Sequence, residues 1–289
     1  MAVEPIPDDT RGILAPREMM RHVDFRRHRS PEPLVGLVEW FWSVRWDLRI
    51  GFVHRQQVLS HPAVNISLGN PPPPGEDPPP GPYAERCVVN GVTTELTTRT
   101  LYASGWNLAA RTTVGGFGAW VDDVASCNER ALPGHQVLPG LDDDLAVRAA
   151  SLPDEQIVDL LGQRLLTLLE KRPPARIAQA RDVAQIASAV EHDRSVTVVA
   201  DLARLAGVST RTLQRSFLSC AGLSPTAVIR RYRLVEAAEL VRDGAPVDWA
   251  EVAARLGYSD QSHLTRDFTA TLGQSPARYA AAVRAAVEH

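Results

Sequence analysis

The sequence is poor in cysteine and contains no long apolar run. Its three cysteines, Cys87, Cys127 and Cys220, lie far apart with no CxxC pair, which argues against a disulfide framework and against a zinc site. No segment approaches about eighteen consecutive apolar residues, and the first residues lack a signal-peptide pattern. We therefore expect a cytoplasmic protein that neither spans a membrane nor carries a metal or another cofactor.

Signatures of catalysis are missing as well. The sequence has no nucleophile elbow, no phosphate-binding glycine loop and no paired-carboxylate motif. His54 and His61 have no neighbouring carboxylate at the spacing of metal ligands. We predict that the chain is not an enzyme, although an enzymatic function stays open as the least favoured of three alternatives.

The chain is long enough for more than one core, and its charge is unevenly spread. A length of 289 residues favours two domains. The formal net charge is −3, yet residues 195–289 hold 11 Arg against 9 Asp and Glu, which gives +2 there and leaves −5 for the rest. The basic excess therefore lies at the C-terminal end.

Short strand-like runs divided by Gly, Pro and Asn fill residues 34–124. They read LVGLVEWFWSVRW, AVNISL, RCVVNGVTTELTT and NLAARTTV. This pattern predicts an antiparallel sheet that curls into a half-barrel. The proline-rich insert at 71–82 cannot supply ladder donors, so we expect an exposed loop between strands there.

A helical period replaces the strand pattern beyond about residue 141. Residues 151–171 have the pattern of a strongly amphipathic helix. Ser151 and Asp154 have the spacing of a capping box at its start. The leucine-rich face of this helix has two interpretations. It packs partly on the barrel and partly across a two-fold axis, giving a homodimer through 151–171, or it is buried completely within one chain.

The paired prolines of KRPPAR, at 171–176, forbid continuation of that helix and mark our predicted domain boundary. The N-terminal domain then spans 1–172, with a helical hairpin at about 141–171 as a coupling segment. The C-terminal domain spans 177–289 and is helical throughout. Its predicted helices cover 177–191, 197–206, 209–219, 224–243, 248–256, 259–271 and 276–287.

A repeat dominates the C-terminal domain. ARLAGVSTRTLQRSF at 203–217 is followed about fifty residues later by ARLGYSDQSHLTRDF at 254–268. Each copy reads as a short helix, a glycine turn and a second helix, which predicts helix-turn-helix units at 197–219 and 248–271. A plain helical hairpin would show the same apolar spacing, so the outward residues must discriminate between the two.

The outward faces of the two second helices are uncharged except for arginine. Leu213 and Phe217 face inward in the first copy, as Leu264 and Phe268 do in the second. Arg pairs with guanine, Gln pairs with adenine and Thr contacts a thymine methyl, whereas an ordinary solvated face would include Asp or Glu. The predicted DNA-reading residues are Thr210, Arg211, Gln214, Arg215, Gln261, Ser262, Thr265 and Arg266.

The spacing between the two readers matches DNA. The helix predicted at 224–243 would be about 30 Å long at 1.5 Å per residue, close to the roughly 34 Å that separates successive major-groove faces. Both readers could then lie on one face of the duplex. We expect Asp260 to cap the second reader, Asp267 to point sideways and His263 to be a packing residue.

Residues of about 185–285 resemble the AraC/XylS family of bacterial transcription regulators. The resemblance rests on TVVADLARLAGVSTRTLQRSF, GLSPTAVIRRYRLVEAAELV and VDWAEVAARLGYSDQSHLTRDFTATLGQSPARY. It implies an α+β protein of two domains, in which a bipartite helix-turn-helix domain binds a double-stranded DNA operator through the residues given above. The second unit of such proteins often also faces RNA polymerase.

The N-terminal half looks like the sensor domains that precede this module in some regulators, through PLVGLVEWFW, VLSHPAVNISL and GWNLAARTTVGGFGAWV. A half-barrel of this kind could hold an apolar or aromatic effector. The candidate effector-binding residues are Trp40, Trp42, His54, His61, Trp106, Arg111 and Trp120, with Phe117 beside them. The alternative is that these aromatic residues only fill the core.

The sequence thus predicts a transcriptional regulator that responds to a small molecule. The second interpretation is a DNA-binding protein that is constitutive or controlled by a protein partner, with no small-molecule pocket. An enclosed cavity that exposes Arg111 or a histidine would favour the first interpretation.

Overall fold

The structure is a computed structural model that describes residue 10 and residues 12–71, 83–193, 196–241 and 246–287. Its strands are β1 (Val23–Arg29), β2 (Val38–Asp47), β3 (Val53–Val58), β4 (Asn65–Gly69), β5 (Arg86–Asn90), β6 (Thr97–Tyr102), β7 (Ser104–Thr112) and β8 (Ala131–Pro133). Its helices are α1 (Pro16–Met19), α2 (Gly134–Val137), α3 (Asp143–Ala149), α4 (Asp154–Leu169), α5 (Pro174–His192), α6 (Val199–Leu205), α7 (Thr210–Ala221), α8 (Pro225–Glu239), α9 (Trp249–Arg255), α10 (Gln261–Leu272) and α11 (Pro276–Val287).

All strand pairs of the N-terminal half are antiparallel. Six strands form one sheet in the order β1-β2-β7-β4-β5-β8, and β3 pairs with β6 in a second sheet. The expected α+β class is confirmed, with α3 and α4 as the helical hairpin beside the sheet. The expected loop at 71–82 falls at residues 72–82 outside the described part of the chain.

Two details of the sheet differ from the sequence prediction. Strand β1 lies before the predicted strand region, and RCVVNGVTTELTT forms two strands in different sheets. The chain leaves the first sheet at Gly91, where a Cβ would lie 1.8 Å from the carbonyl oxygen of Cys127. Only glycine permits that approach of two backbones, and this contact separates β5 from β6.

The apolar core continues from the N-terminal half into the first helix-turn-helix unit. One cluster of buried side chains includes Phe41 of β2, Leu161 of α4, Val183 of α5 and Phe217 of α7. The turn at 170–173 between α4 and α5 therefore changes the direction of the chain without interrupting the core. A second cluster joins α8 to α11 with Leu14 and Leu59 of the N-terminal half.

The leucine face of α4 lies inside the chain. Leu161 and Leu165 are fully buried, and Leu168 and Leu169 are nearly so. The part of our prediction that placed this face across a two-fold axis is wrong, because β7 and α3 pack against α4 and these leucines are buried within one chain. The predicted capping box also differs, since Asp154 binds Ser43 and Arg45 of β2 and caps nothing.

Helix α8 is shorter than predicted. It has 15 residues, which gives about 22 Å at 1.5 Å per residue, whereas the predicted helix to residue 243 would span about 30 Å. Leu240 is the C-cap, and the side chain of Val241 just beyond it is fully buried in the second apolar cluster. Residues 242–245 lie outside the described residues.

Candidate nucleic-acid interface and ligand cavity

Helix α7 presents the first predicted reading face to solvent. The helix starts at Ser209, whose hydroxyl accepts a hydrogen bond from the backbone N–H of Thr212 at 3.1 Å, and ends at Gly222 in the left-handed region, with φ at 67°. Leu213 and Phe217 are buried as predicted. The four predicted readers on this helix are all exposed: Thr210, Arg211, Gln214 and Arg215.

Helix α10 repeats this arrangement in the second unit. Leu264 and Phe268 are buried as predicted. The reading face consists of the exposed Gln261, Ser262 and Arg266 and the half-buried Thr265. Neither reading face contains a carboxylate, so each offers hydrogen-bond donors and positive charge to a ligand.

The acidic residues beside α10 interact with the protein's own groups, as the sequence analysis predicted. Asp260 is the N-cap, and the backbone N–H of His263 donates to its carboxylate at 2.8 Å, which lowers the pKa of Asp260. Asp267 turns toward α8 and lies 3.6 Å from Arg230. His263 packs edge-on against Tyr258, with ring centres 5.1 Å apart. These three predictions are confirmed: Asp260 caps the start of α10, Asp267 faces α8 and His263 packs against Tyr258.

One apolar residue extends the first reading face beyond the predicted set. Leu218 is 53% exposed and lies one turn after Gln214 and Arg215, on the same side of α7. Leu218 lies at i+4 from Gln214 and at i+3 from Arg215, a spacing that places it on the same helix face. The predicted reading face included only polar side chains and therefore left it out.

A cavity of about 220 Å³ opens between the two sheets of the N-terminal half. Four of the seven predicted effector-binding residues line it: Trp40, Trp42, His61 and Arg111. The other three, His54, Trp106 and Trp120, do not line it. The cavity therefore brings together both kinds of group expected of an effector site, aromatic rings and a polar handle.

The three residues outside the cavity have structural partners. The indole N–H of Trp120 donates to the carbonyl of Leu165 at 3.0 Å, and Trp106 belongs to the large apolar cluster. His54 lies 3.1 Å from the side-chain oxygen of Gln56, and burial lowers the pKa of His54. For these aromatic residues the core-filling interpretation describes the structure.

Two arginines that the sequence prediction did not include also line the cavity, Arg27 of β1 and Arg99 of β6. The guanidinium carbons of Arg27 and Arg111 lie 4.0 and 4.1 Å from the ring centre of Trp40. Strand β1 was not predicted, so its alternating pattern of inward Phe25 and Arg27 was not read.

The cavity wall contacts α8 directly. Arg231 of α8 is 6% exposed, and its guanidinium donates to the backbone carbonyls of Ser60 at 2.7 Å and Thr94 at 2.9 Å. The rings of His61 and Tyr232 meet edge-on at 5.8 Å. Burial lowers the pKa of Arg231 to about 10, so the side chain stays charged at neutral pH.

The end of α7 is held by other parts of the N-terminal half. Asn128 donates to the carbonyl of Gly222 at 2.9 Å, and Arg176 bridges the carbonyls of Val121 and Ser219 at 2.9 Å each. Gly118 lies so close to the backbone of Cys220 that an added Cβ would be 2.6 Å from its Cα. The first reading helix is therefore docked on the N-terminal half.

The described residues offer little support for a membrane span, a metal site or a disulfide bond. Among the described residues, no helix combines the length and apolarity that a membrane span requires. No group of three or more His, Cys, Asp or Glu side chains in the described ranges is placed to hold a metal ion. Cys87, Cys127 and Cys220 are buried free thiols.

The fold and the two reading faces define the class of protein as one with paired helix-turn-helix units behind a β-rich domain. Residues 202–282 match the family model described as "Helix-turn-helix domain". Curated relatives carry the names of AraC-like regulators. Residues 202–282 therefore belong to a helix-turn-helix domain, and this part of the chain is similar to AraC-like regulators, in line with the sequence resemblance.

Two curated relatives are similar over part of the chain. The "Transcriptional activator NphR" of a Rhodococcus species is 31% identical over 125 residues, which are 42% of this chain and 36% of the relative. A "Putative AraC-like transcription regulator" of Streptomyces lividans is 34% identical over 152 residues, which are 49% of each chain. The chain thus spans at most about half the length of these relatives.

Two solved structures are similar at low TM-scores. The DNA-binding domain of AdpA, solved in complex with a target DNA, is 35% identical with a TM-score of 0.33, and covers 36% of this chain and 94% of that one. ToxT of Vibrio cholerae, solved with an unsaturated fatty acid, is 13% identical with a TM-score of 0.39, and covers 83% of this chain and 94% of that one.

Proposed function

We propose that this chain is a cytoplasmic, sequence-specific DNA-binding transcriptional regulator, with an effector site in its N-terminal cavity. The observation that carries the proposal is the match between the two reading faces. In both helix-turn-helix units the predicted readers project outward from helices whose apolar residues are buried, and neither face contains a carboxylate.

The chemistry of these faces suits base reading. Arg215 and Arg266 occupy equivalent positions, and each can pair bidentately with a guanine edge in the major groove. Gln214 and Gln261 supply amides that suit adenine. Because the readers lie on separate helices, we propose that each unit reads its own part of the operator.

The cavity supports control by a small molecule. It exposes Arg111 and His61 next to tryptophan rings, the arrangement that favours an effector site over a plain apolar core. The wall formed by Leu59, Ser60 and His61 also contacts α8, the helix between the two units. An effector that prefers one position of this wall would shift the population of α8 positions.

The DNA-reading part is tested by substituting the equivalent arginines. The operator is first located by genome-wide footprinting. Arg215→Ala and Arg266→Ala are each expected to weaken operator binding by about 1 to 3 kcal/mol and to relax base preference at separate positions. Arg55→Ala is the matched control, because Arg55 is an exposed arginine of β3 in the N-terminal half.

Equal losses on cognate and random DNA would contradict base reading, as would wild-type affinity in both variants. Contact with RNA polymerase and formation of a homodimer remain predictions. A dimer would need a surface other than the buried leucine face of α4. We propose a regulatory and not a catalytic protein.

A further inference from the structure

The charge of the cavity lining is one-sided. Three arginines contribute to it, Arg27, Arg99 and Arg111. No Asp or Glu of the described residues is part of the lining. Three guanidinium groups around a small partly apolar space favour an anion over a neutral or cationic ligand.

Arg99 is the least compensated of the three. Its side chain is half-buried at the cavity and has one long hydrogen bond, 3.5 Å, to the side-chain oxygen of Asn90. Desolvation lowers the pKa of Arg99, and no carboxylate in the described part of the chain offsets this effect. A guanidinium that lines a cavity without a carboxylate partner is available to pair with an anionic ligand.

Arg111 differs because it already has a carboxylate partner. It forms an ion pair with Glu39 at 3.1 Å and lies over the ring of Trp40. The guanidinium carbon of Arg27 also lies over the Trp40 ring, 4.0 Å from its centre. These two arginines pack against the Trp40 ring. Arg99 therefore remains as the main residue for binding the anionic group of a ligand.

The rest of the lining suits a compact apolar body. The lining includes the apolar side chains of Phe25, Trp42, Trp46 and Leu101. At roughly 30 Å³ per water molecule, a cavity of about 220 Å³ holds roughly seven waters, the size of a single aromatic ring with a small substituent.

We propose that the cavity binds a small organic monoanion, a carboxylate attached to one aromatic ring or a short branched apolar group, and that Arg99 pairs with the carboxylate. This inference rests on the proposed function in that it names the chemical class of the effector. It goes further by assigning a binding residue that sequence patterns did not reveal.

The experiment compares acids with their neutral amides on the full chain. Benzoate and 3-methylbutanoate are the probes, and benzamide and 3-methylbutanamide are their uncharged counterparts of nearly equal shape. Binding is measured by thermal shift and by tryptophan fluorescence at constant ionic strength, up to about 10 mM probe. We expect at least one acid to bind, about tenfold or more tightly than its amide, because a charged hydrogen bond is lost with the amide.

Two variants assign this preference to Arg99. Arg99→Gln is expected to lower affinity for the acid by about tenfold or more. The same change is expected to leave the melting temperature of the empty protein close to that of wild type, because Arg99 is half-buried and has one long hydrogen bond. Arg55→Gln, in the exposed arginine of β3, is the control and should change neither quantity.

Several results would overturn the proposal. They are equal affinity for acid and amide, binding of neither series up to about 10 mM, or full acid binding by Arg99→Gln. Operator binding without any probe is measured in parallel. If the protein does not bind an operator but binds benzoate through Arg99, the proposed DNA function is rejected and the cavity assignment stands. If it binds an operator but no acid through Arg99, only the proposed ligand class is rejected.

Discussion

Replacement of Arg231 tests whether the N-terminal half and α8 form one mechanical unit. Its guanidinium donates to three backbone carbonyls within hydrogen-bond range, those of Ser60 at 2.7 Å, Thr94 at 2.9 Å and Thr93 at 3.2 Å. A longer contact of 3.5 Å reaches the carbonyl of Glu95. In Arg231→Met the apolar stem remains, but these carbonyls lose their donor in a buried position.

The expected loss of stability follows from opposing contributions. Each hydrogen bond from a charged donor is worth about 1.5 to 3 kcal/mol, so the three shorter ones sum to several kcal/mol. Removal of the guanidinium also ends its own desolvation penalty, which is several kcal/mol for a buried ion. We expect a net loss of about 2 to 4 kcal/mol.

The assay is thermal denaturation of the full chain, with Arg230→Met as the matched control. Arg230 is the adjacent residue of α8, but it is 57% exposed and pairs with Asp267 at 3.6 Å. A surface pair of this kind is worth at most about 1 kcal/mol. At about 2 to 4 °C per kcal/mol, Arg231→Met should melt roughly 5 to 15 °C below wild type. Equal melting temperatures for the two variants would refute the reasoning.

Three further predictions concern single contacts. Asp248→Ala should destabilise the second helix-turn-helix unit by about 1 kcal/mol by chemical denaturation, because Asp248 caps α9, whereas Ser259→Ala should have less effect because Asp260 is the cap of α10. Gly118→Ala should cost about 1 to 3 kcal/mol, since its Cβ would meet the Cys220 backbone; wild-type stability would show that α7 docks more loosely. Burial alone would raise the pKa of Asp154, but hydrogen bonds from Ser43 and Arg45 lower it overall, so its stabilisation is present above the ordinary pKa and is lost as pH falls through the lower folded value. Asp154→Asn should remove that acid dependence in urea titrations at several pH values.

The reading helices could be predicted closely because their signals are local. The spacing of Leu213 and Phe217 fixes which side of α7 is buried, and the opposite side follows from the helical period alone. Caps such as Ser209 and Asp260 depend on side chains within three residues of the helix start. Sequence patterns therefore predict these faces without any knowledge of the rest of the fold.

Contacts between distant segments could not be predicted in this way. Arg231 reads as one more polar residue of a solvated helix, yet its partner carbonyl at Ser60 is 171 positions away. Arg99 likewise becomes a cavity residue only because β6 pairs with β3 in a separate sheet. The length of α8 is a further difference, since the helical pattern of the sequence continues to residue 243 whereas the helix ends at Glu239.

The division of the core determines what a ligand in the cavity can change. Phe217 of the first reading helix belongs to the cluster that includes the main sheet and α4, whereas Phe268 of the second belongs to a cluster with Leu59. Leu59 also lines the cavity. A ligand that moves this segment therefore acts on α8 and the second unit, while the first unit stays anchored through Gly118 and Asn128. Because the two units are anchored separately, we expect an effector to alter the placement of one reader relative to the other and to leave the fold of each unit intact.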